Sequence, residues 1–98
     1  MADYQTRSPQ ELLAELGERL QRRRLSEGFT QATLADKAGV SRRSLIALEA
    51  GHGSQLETFV RVLKALGLED NLAALAPVPR VSPMALLTAG KPRKRGYR

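Results

Sequence analysis

Residues 30–51 read "TQATLADKAGVSRRSLIALEAG". Two short helical patterns meet here at a glycine. Thr30 can cap the first, which then carries Leu34, Ala35 and Ala38 on one small apolar face. Gly39 breaks it where a left-handed residue is wanted. Ser41 can cap the second, with Leu45 and Leu48 three apart. Gly51 and Gly53 close it. The apolar positions, Val40 included, face each other, and Ala35 is small enough to let the helices approach closely. This pattern predicts a helix-turn-helix, whose second helix is the kind that enters the DNA major groove. The same spacing also suits an ordinary helical hairpin in a small bundle.

The flanks extend the helical reading. "SPQE" at 8–11 offers Ser8 as a cap, Pro9 at the first helical position and Glu11 three residues after the cap. Leu12, Leu13, Leu16 and Leu20 follow at helical spacing, so a helix should run to about Leu25, with Gly28 ending it. The run "RRR" at 22–24 falls in its last turns, where cations favour the negative end of the helix dipole. Beyond the central pair, Ser54 and Glu57 have the spacing of a second capping box. Leu56, Phe59, Val60, Leu63 and Leu66 then mark an amphipathic fourth helix, stopped by Gly67. "LEDNLAALA" at 68–76 reads as a short fifth helix ended by Pro77. No strand pattern and no internal repeat is visible. The prediction is an all-α, five-helix fold: a domain over 8–76, then a Pro-containing linker and basic tail over 77–98. Within the latter, "SPMALLTAG" can form a turn or two and expose Met84, Leu86 and Leu87. "KPRKRGYR" has no core-forming pattern and is expected to be disordered.

The bulk properties bound the rest. A chain of 98 residues suits one small domain. It holds no cysteine, so disulfides, thiol nucleophiles and cysteine–zinc sites are excluded. No apolar run approaches the ~20 residues that span a bilayer, and "MADYQTRSPQ" lacks the apolar core of a secretory signal. A cytoplasmic protein without a membrane partner is expected. The net charge is +6. Residues 1–76 carry equal numbers of basic and acidic side chains, so the whole excess lies in Arg80, Lys91, Arg93, Lys94, Arg95 and Arg98. That asymmetry points to a polyanionic partner or to a solvated tail. Catalysis has no support. His52 is the only histidine, set between two glycines with no partner in view. The carboxylates are scattered, and no glycine-rich phosphate loop follows a strand. No enzyme, cofactor or metal site is expected.

Gln31, Leu34-Ala35, Gly39-Val40-Ser41, Leu45, Leu48-Glu49 and Gly51 together resemble the Xre family, the phage-repressor-like (lambda-repressor-like) helix-turn-helix proteins. "LETFVRVLKALGL" at 56–68 is similar to that family's fourth helix, and the likeness covers about residues 12–68. The resemblance implies a dimeric DNA-binding fold of five helices. It also implies that Gln31 holds a phosphate at the start of the second helix and that Ser41 to Ala47 face the groove. The base-reading candidates are therefore Ser41, Arg42, Arg43, Ser44 and Ala47. The phosphate candidates are Arg23, Thr30, Gln31, His52 and Ser54. Where this family often has a polar side chain, the chain has Ala47, with Ile46 beside it; either could only pack on a thymine methyl. An arginine fork matches O6 and N7 of guanine, so at least one of Arg42 and Arg43 is expected to read guanine, the alternative being phosphate contact. The resemblance further places Arg24 and Glu49 at the inner junction of the first and third helices, as a salt bridge. Leu72 and Leu75 on the fifth helix, among small alanines, are the expected homodimer contact.

"SPMALLTAGKPRKRGYR" at 82–98 resembles the tails of HipB-like antitoxins, which pair with HipA-like kinase toxins. That implies a repressor that binds its own double-stranded operator DNA and also docks a kinase partner. Two other readings are a stand-alone Xre-type regulator and a helical protein-interaction module without DNA binding. Arg42, Arg43 and the basic tail argue against the last.

Overall fold

Three of the four hydroxyl caps expected from the sequence start helices. The computed structural model describes residues 4–80, and among these every regular element is helical. Helix α1 spans Pro9–Ser26, α2 Gln31–Ala38, α3 Arg42–Glu49, α4 Leu56–Ala65 and α5 Leu72–Leu75, with 3-10 turns at Tyr4–Thr6 and Glu69–Asn71. Ser8 makes the full capping box: its hydroxyl accepts from the Glu11 amide at 3.1 Å, and the Glu11 carboxylate accepts from the Ser8 amide at 2.8 Å. Thr30 and Ser41 cap α2 and α3 in the same way, each accepting from the amide three residues on at 3.0 Å.

Ser54 is the exception, and it corrects the expected second capping box. Its hydroxyl donates to the Gln55 carbonyl at 2.8 Å, and Gln55 is the residue that precedes α4. The helix starts one residue later than the motif requires. Glu57 therefore stands at the second helical position and bonds forward to Arg61 at 3.0 Å instead of back to a cap.

The core joins one face of each longer helix. Leu20 of α1, Leu34, Ala35 and Ala38 of α2, Leu45 and Leu48 of α3, and Val62 and Leu63 of α4 are buried, with Leu66 just beyond α4. The expected α4 face needs correcting. Val62 is fully buried, whereas Leu56 is 75% exposed and Val60 stands at the margin. The inward stripe runs Phe59, Val62, Leu63, Leu66, in which Val62 and Leu63 stand three and four residues after Phe59 and Leu66 stands four and three after them. Val60 falls outside it. Leu56 points the same way as Leu63 but two turns earlier, at the first residue of the helix. The expected fifth helix is also shorter than 68–76. Gly67 turns left-handed at φ 74°, the chain makes the 3-10 turn, and only four residues are α-helical. Leu72 and Leu75 are exposed, so they do not close the core.

Two features were not foreseen. The first is a clasp on the outer side of α1. The Tyr4 hydroxyl donates to Glu15 at 2.8 Å, Arg7 pairs with the same carboxylate, and Arg19 Nε donates to it at 2.9 Å. The Tyr4 hydrogen bond and then the Arg19 hydrogen bond hold the Glu15 carboxyl below the usual carboxylate range. The second is how closely α1 lies on α3. A Cβ on Gly17 would sit 2.5 Å from the carbonyl oxygens of both Leu48 and Glu49. Gly51, at φ 81°, meets α1 from the other side, where its Cβ would lie 2.7 Å from the Ala14 Cα.

Gly17→Ala tests this crossing. Alanine improves helix propensity by about 1 kcal/mol. Overpacking against a backbone that cannot swing aside costs about 1–3 kcal/mol. The urea midpoint should fall; a midpoint unchanged or raised would mean that α1 can shift off α3 without loss.

Candidate nucleic-acid interface

The turn between α2 and α3 is built by backbone hydrogen bonds that only Gly39 makes easy. Gly39 is left-handed, at φ 72° and ψ 32°, which brings the Val40 amide onto the Ala35 carbonyl at 3.0 Å. Val40 then packs against the core, the apolar contact that accompanies this kind of helix end. Ser41 follows in extended geometry and caps α3.

Helix α3 is divided lengthwise. Leu45, Leu48 and Glu49 are buried. Ser41, Arg42, Arg43 and Ile46 are exposed, and Ser44 and Ala47 are half-buried between the two faces. The base-reading candidates thus lie on and beside one exposed surface of α3, all but Ala47 at its N-terminal end. Two concave surfaces flank that end. One is lined by Arg24, Thr30, Gln31, Ala32 and Arg42, among others. The other is lined by Ser41 and Ser44 with Gln55, Thr58 and Arg61. Gln55, Thr58 and Arg61 were not among the sequence candidates. Their only signal was that they cap or lie on the helix after the recognition segment.

Charge distinguishes Arg42 and Arg43 from the other arginines between residues 4 and 65. Arg7, Arg19, Arg22, Arg23, Arg24 and Arg61 each pair with a carboxylate. Neither Arg42 nor Arg43 has a hydrogen bond or ion pair among the described residues. The neutral balance of the body is therefore uneven, with two uncompensated guanidinium groups at the start of α3.

Beneath this surface lies a buried ion pair. Arg24 Nε donates to Glu49 Oε2 at 2.7 Å, and Arg24 Nη2 donates to Glu49 Oε1 at 3.1 Å. The two side chains are 6% and 3% exposed. Arg24 Nη1 donates to the Phe29 carbonyl at 2.8 Å, which ties in the loop before α2. Gln31 Nε2 adds a third hydrogen bond to the carboxylate, at 3.0 Å on Oε1.

The phosphate candidates are scattered more widely. Thr30 and Gln31 open α2 and share the groove of Arg42. The Thr30 hydroxyl also donates to Thr33 Oγ1 at 2.8 Å. Arg23 faces a different groove, beside Leu16, Leu20 and Leu68, and donates to Glu27 at 2.6 Å. His52 and Ser54 are exposed in the loop between α3 and α4. Lys91, Arg93, Lys94, Arg95 and Arg98 lie outside the described residues. Among the described residues no cluster of side chains could hold a metal ion, and no helix is long and apolar enough to cross a membrane.

The two kinds of ion pair should respond differently to truncation. Glu49→Ala leaves a buried guanidinium without its counter-charge and should destabilise the fold by about 3–5 kcal/mol. Glu18→Ala, which breaks an exposed pair with Arg22, should cost about 0–1 kcal/mol. Comparable melting points for the two variants would show that the buried pair contributes no more than a surface one.

The helix-turn-helix family matches residues 20–71, just over half of the chain. No curated protein matches it significantly. The matched span takes in Arg24, the turn at Gly39, the whole of α3 and the helix that packs behind it. That family is one of DNA-binding regulators, in which the second helix of the motif enters the major groove. The chain belongs to the helix-turn-helix family, as an Xre-type DNA-binding transcription regulator.

Proposed function

We propose that the protein is a sequence-specific repressor that binds its own operator as a homodimer and is the HipB-like antitoxin of a toxin–antitoxin pair with a HipA-like kinase. Residues 8–76 form its DNA-binding unit. The observation that carries the DNA reading is the pair of unpaired arginines at the exposed start of α3. In the major groove, at least one of Arg42 and Arg43 reads O6 and N7 of guanine. Ser41 and Ser44 offer short-range hydrogen bonds, and Ala47 an apolar contact to a thymine methyl. Thr30, Gln31, His52, Ser54 and Arg23 contact phosphates on either side. Arg23 has to exchange its Glu27 partner to do so.

Exposure of Leu72 and Leu75 supports a second copy packing across α5, where Ala73 and Ala74 allow close approach. Two-fold symmetry then sets two α3 helices about 34–36 Å apart, one turn of DNA. The antitoxin role rests on the likeness of residues 82–98 to HipB-like tails.

Arg42→Ala and Arg43→Ala test base reading. Loss of a bidentate base contact should cost about 1–3 kcal/mol on the operator and relax one position of the site, with binding to random DNA less affected. If both variants weaken operator and random DNA equally, both arginines are phosphate contacts.

Truncation after Gly90 tests the tail. Each phosphate neutralised adds about 0.9 to the slope of log affinity against log salt. Partial contact by the five basic side chains should give a slope change of about two to four, with sequence preference kept. An unchanged slope, together with loss of co-purification of a kinase encoded next to it, would assign the tail to the protein partner alone.

A further inference from the structure

We propose that Ile46 reads the C5-methyl group of a pyrimidine in the major groove. The protein then takes thymine or 5-methylcytosine at one position and discriminates against the same base without its methyl. This rests on the DNA-binding reading above and deepens it, with Ile46 carrying more of the methyl contact than Ala47.

A lone exposed isoleucine is ordinary on a protein surface; this one stands between two free cations. Successive residues of an α-helix turn by about 100°, so Ile46 lies about 40° from Arg42 and about 60° from Arg43 around α3, one turn further on. Leu45, Leu48 and Glu49 take the inward side. Ile46 is 42% exposed, whereas Ala47 is half-buried and offers a single methyl. Helical side chains lean toward the N-terminus. Ile46 is thereby carried back over the turn that holds both guanidinium groups, neither of which has a partner among the described residues.

Isoleucine has no donor or acceptor in its side chain, so it bonds neither a phosphate oxygen nor a polar base edge. Pressed against such a group, it would strip away water and leave the group unsatisfied. The apolar group that the major groove displays is the methyl on C5 of thymine. Cytosine carries hydrogen there, and 5-methylcytosine carries the same methyl in the same place. Helix positions three or four residues apart are separated by about 5–6 Å, and successive bases by about 3.4 Å along the duplex. The methyl therefore falls within about two base pairs of a guanine read by Arg42 or Arg43. The arginine fixes the register, and Ile46 senses whether the nearby pyrimidine is methylated. The consequence is a binder that responds to cytosine methylation within its own site.

The test uses the full chain and a duplex enriched by the wild-type protein from a randomised pool, with an unselected duplex as reference. Each thymine of the enriched duplex is replaced in turn by deoxyuridine, which removes only the methyl. One replacement should weaken binding about fourfold, the effect of one buried methyl-sized group. It should lie within about two base pairs of the guanine whose selection is lost in Arg42→Ala or Arg43→Ala. At the same position, a 5-methylcytosine–guanine pair should bind about fourfold more tightly than a cytosine–guanine pair. Ile46→Ala should remove both differences and leave the unselected duplex unchanged, since attraction to that duplex is electrostatic. Ile46→Val, which keeps a branched apolar surface, should retain both. Loss of affinity at no thymine, equal binding of cytosine and 5-methylcytosine, or methyl effects that persist in Ile46→Ala would each overturn the proposal. If the wild-type protein enriches no duplex at all, the DNA reading fails with it, which is a different result from a duplex enriched without a methyl effect.

Discussion

The fold depends on one buried carboxylate. Glu49 lies at the end of α3, and its charge must be met inside the protein. Arg24, fixed on α1, meets it with two hydrogen bonds and spends its remaining contact on the loop before α2. Coulomb attraction at such a site is offset by the cost of taking both charges out of water, so the intact pair adds little net stability over an apolar replacement. Its effect is on geometry. Any arrangement that slides α3 along α1 leaves an unpaired charge in the core and is heavily penalised. The ion pair thus sets the register of the recognition helix against its support.

That register is reachable only because the helices touch backbone to backbone. Ala14, Gly17 and Gly51 remove side chains where α1 crosses the end of α3. Two turns after Gly17, on the same face of α1, comes Arg24. A larger residue at 17 would lift α1 away and lengthen hydrogen bonds that are now 2.7–3.1 Å. The glycine and the ion pair are therefore one device, in which close approach makes the contact and the contact fixes the approach.

How legible each part was in the sequence follows from the range of the interaction. The caps at Ser8, Thr30 and Ser41, and the turn at Gly39, each depend on partners a few residues away, and the local pattern was enough. Ser54–Glu57 has the same local pattern but fails, because a shift of one residue in the helix start removes the geometry. The Tyr4–Glu15 clasp spans eleven residues and has no periodic signature. Gly17 reads as a weak point in α1 until α3 is placed against it. Arg24 and Glu49 are twenty-five residues apart, and only the family likeness suggested their pairing. The Gln31 contact to Glu49 was missed, since the same likeness assigned that amide to a phosphate.

One signal was available in the sequence without any likeness. Arg19, Arg22 and Arg61 each follow a glutamate by four residues, and Arg23 precedes one by four, the spacing at which helix side chains meet. Positions three and four away from Arg42 and Arg43 are Gly39, Val40, Leu45, Ile46, Ala38 and Ala47, none of them acidic. Spacing alone thus separates arginines that are neutralised within their own helix from two that are not. A net charge of zero over the body conceals this, because neutrality of the sum says nothing about where compensation occurs. At the start of α3 the two cations stand close together, unscreened by any carboxylate of their own helix, on a face whose other members are small or apolar. A polyanion approaching the body therefore finds local attraction at the surface that would have to read it, so that encounter and recognition can use the same side chains.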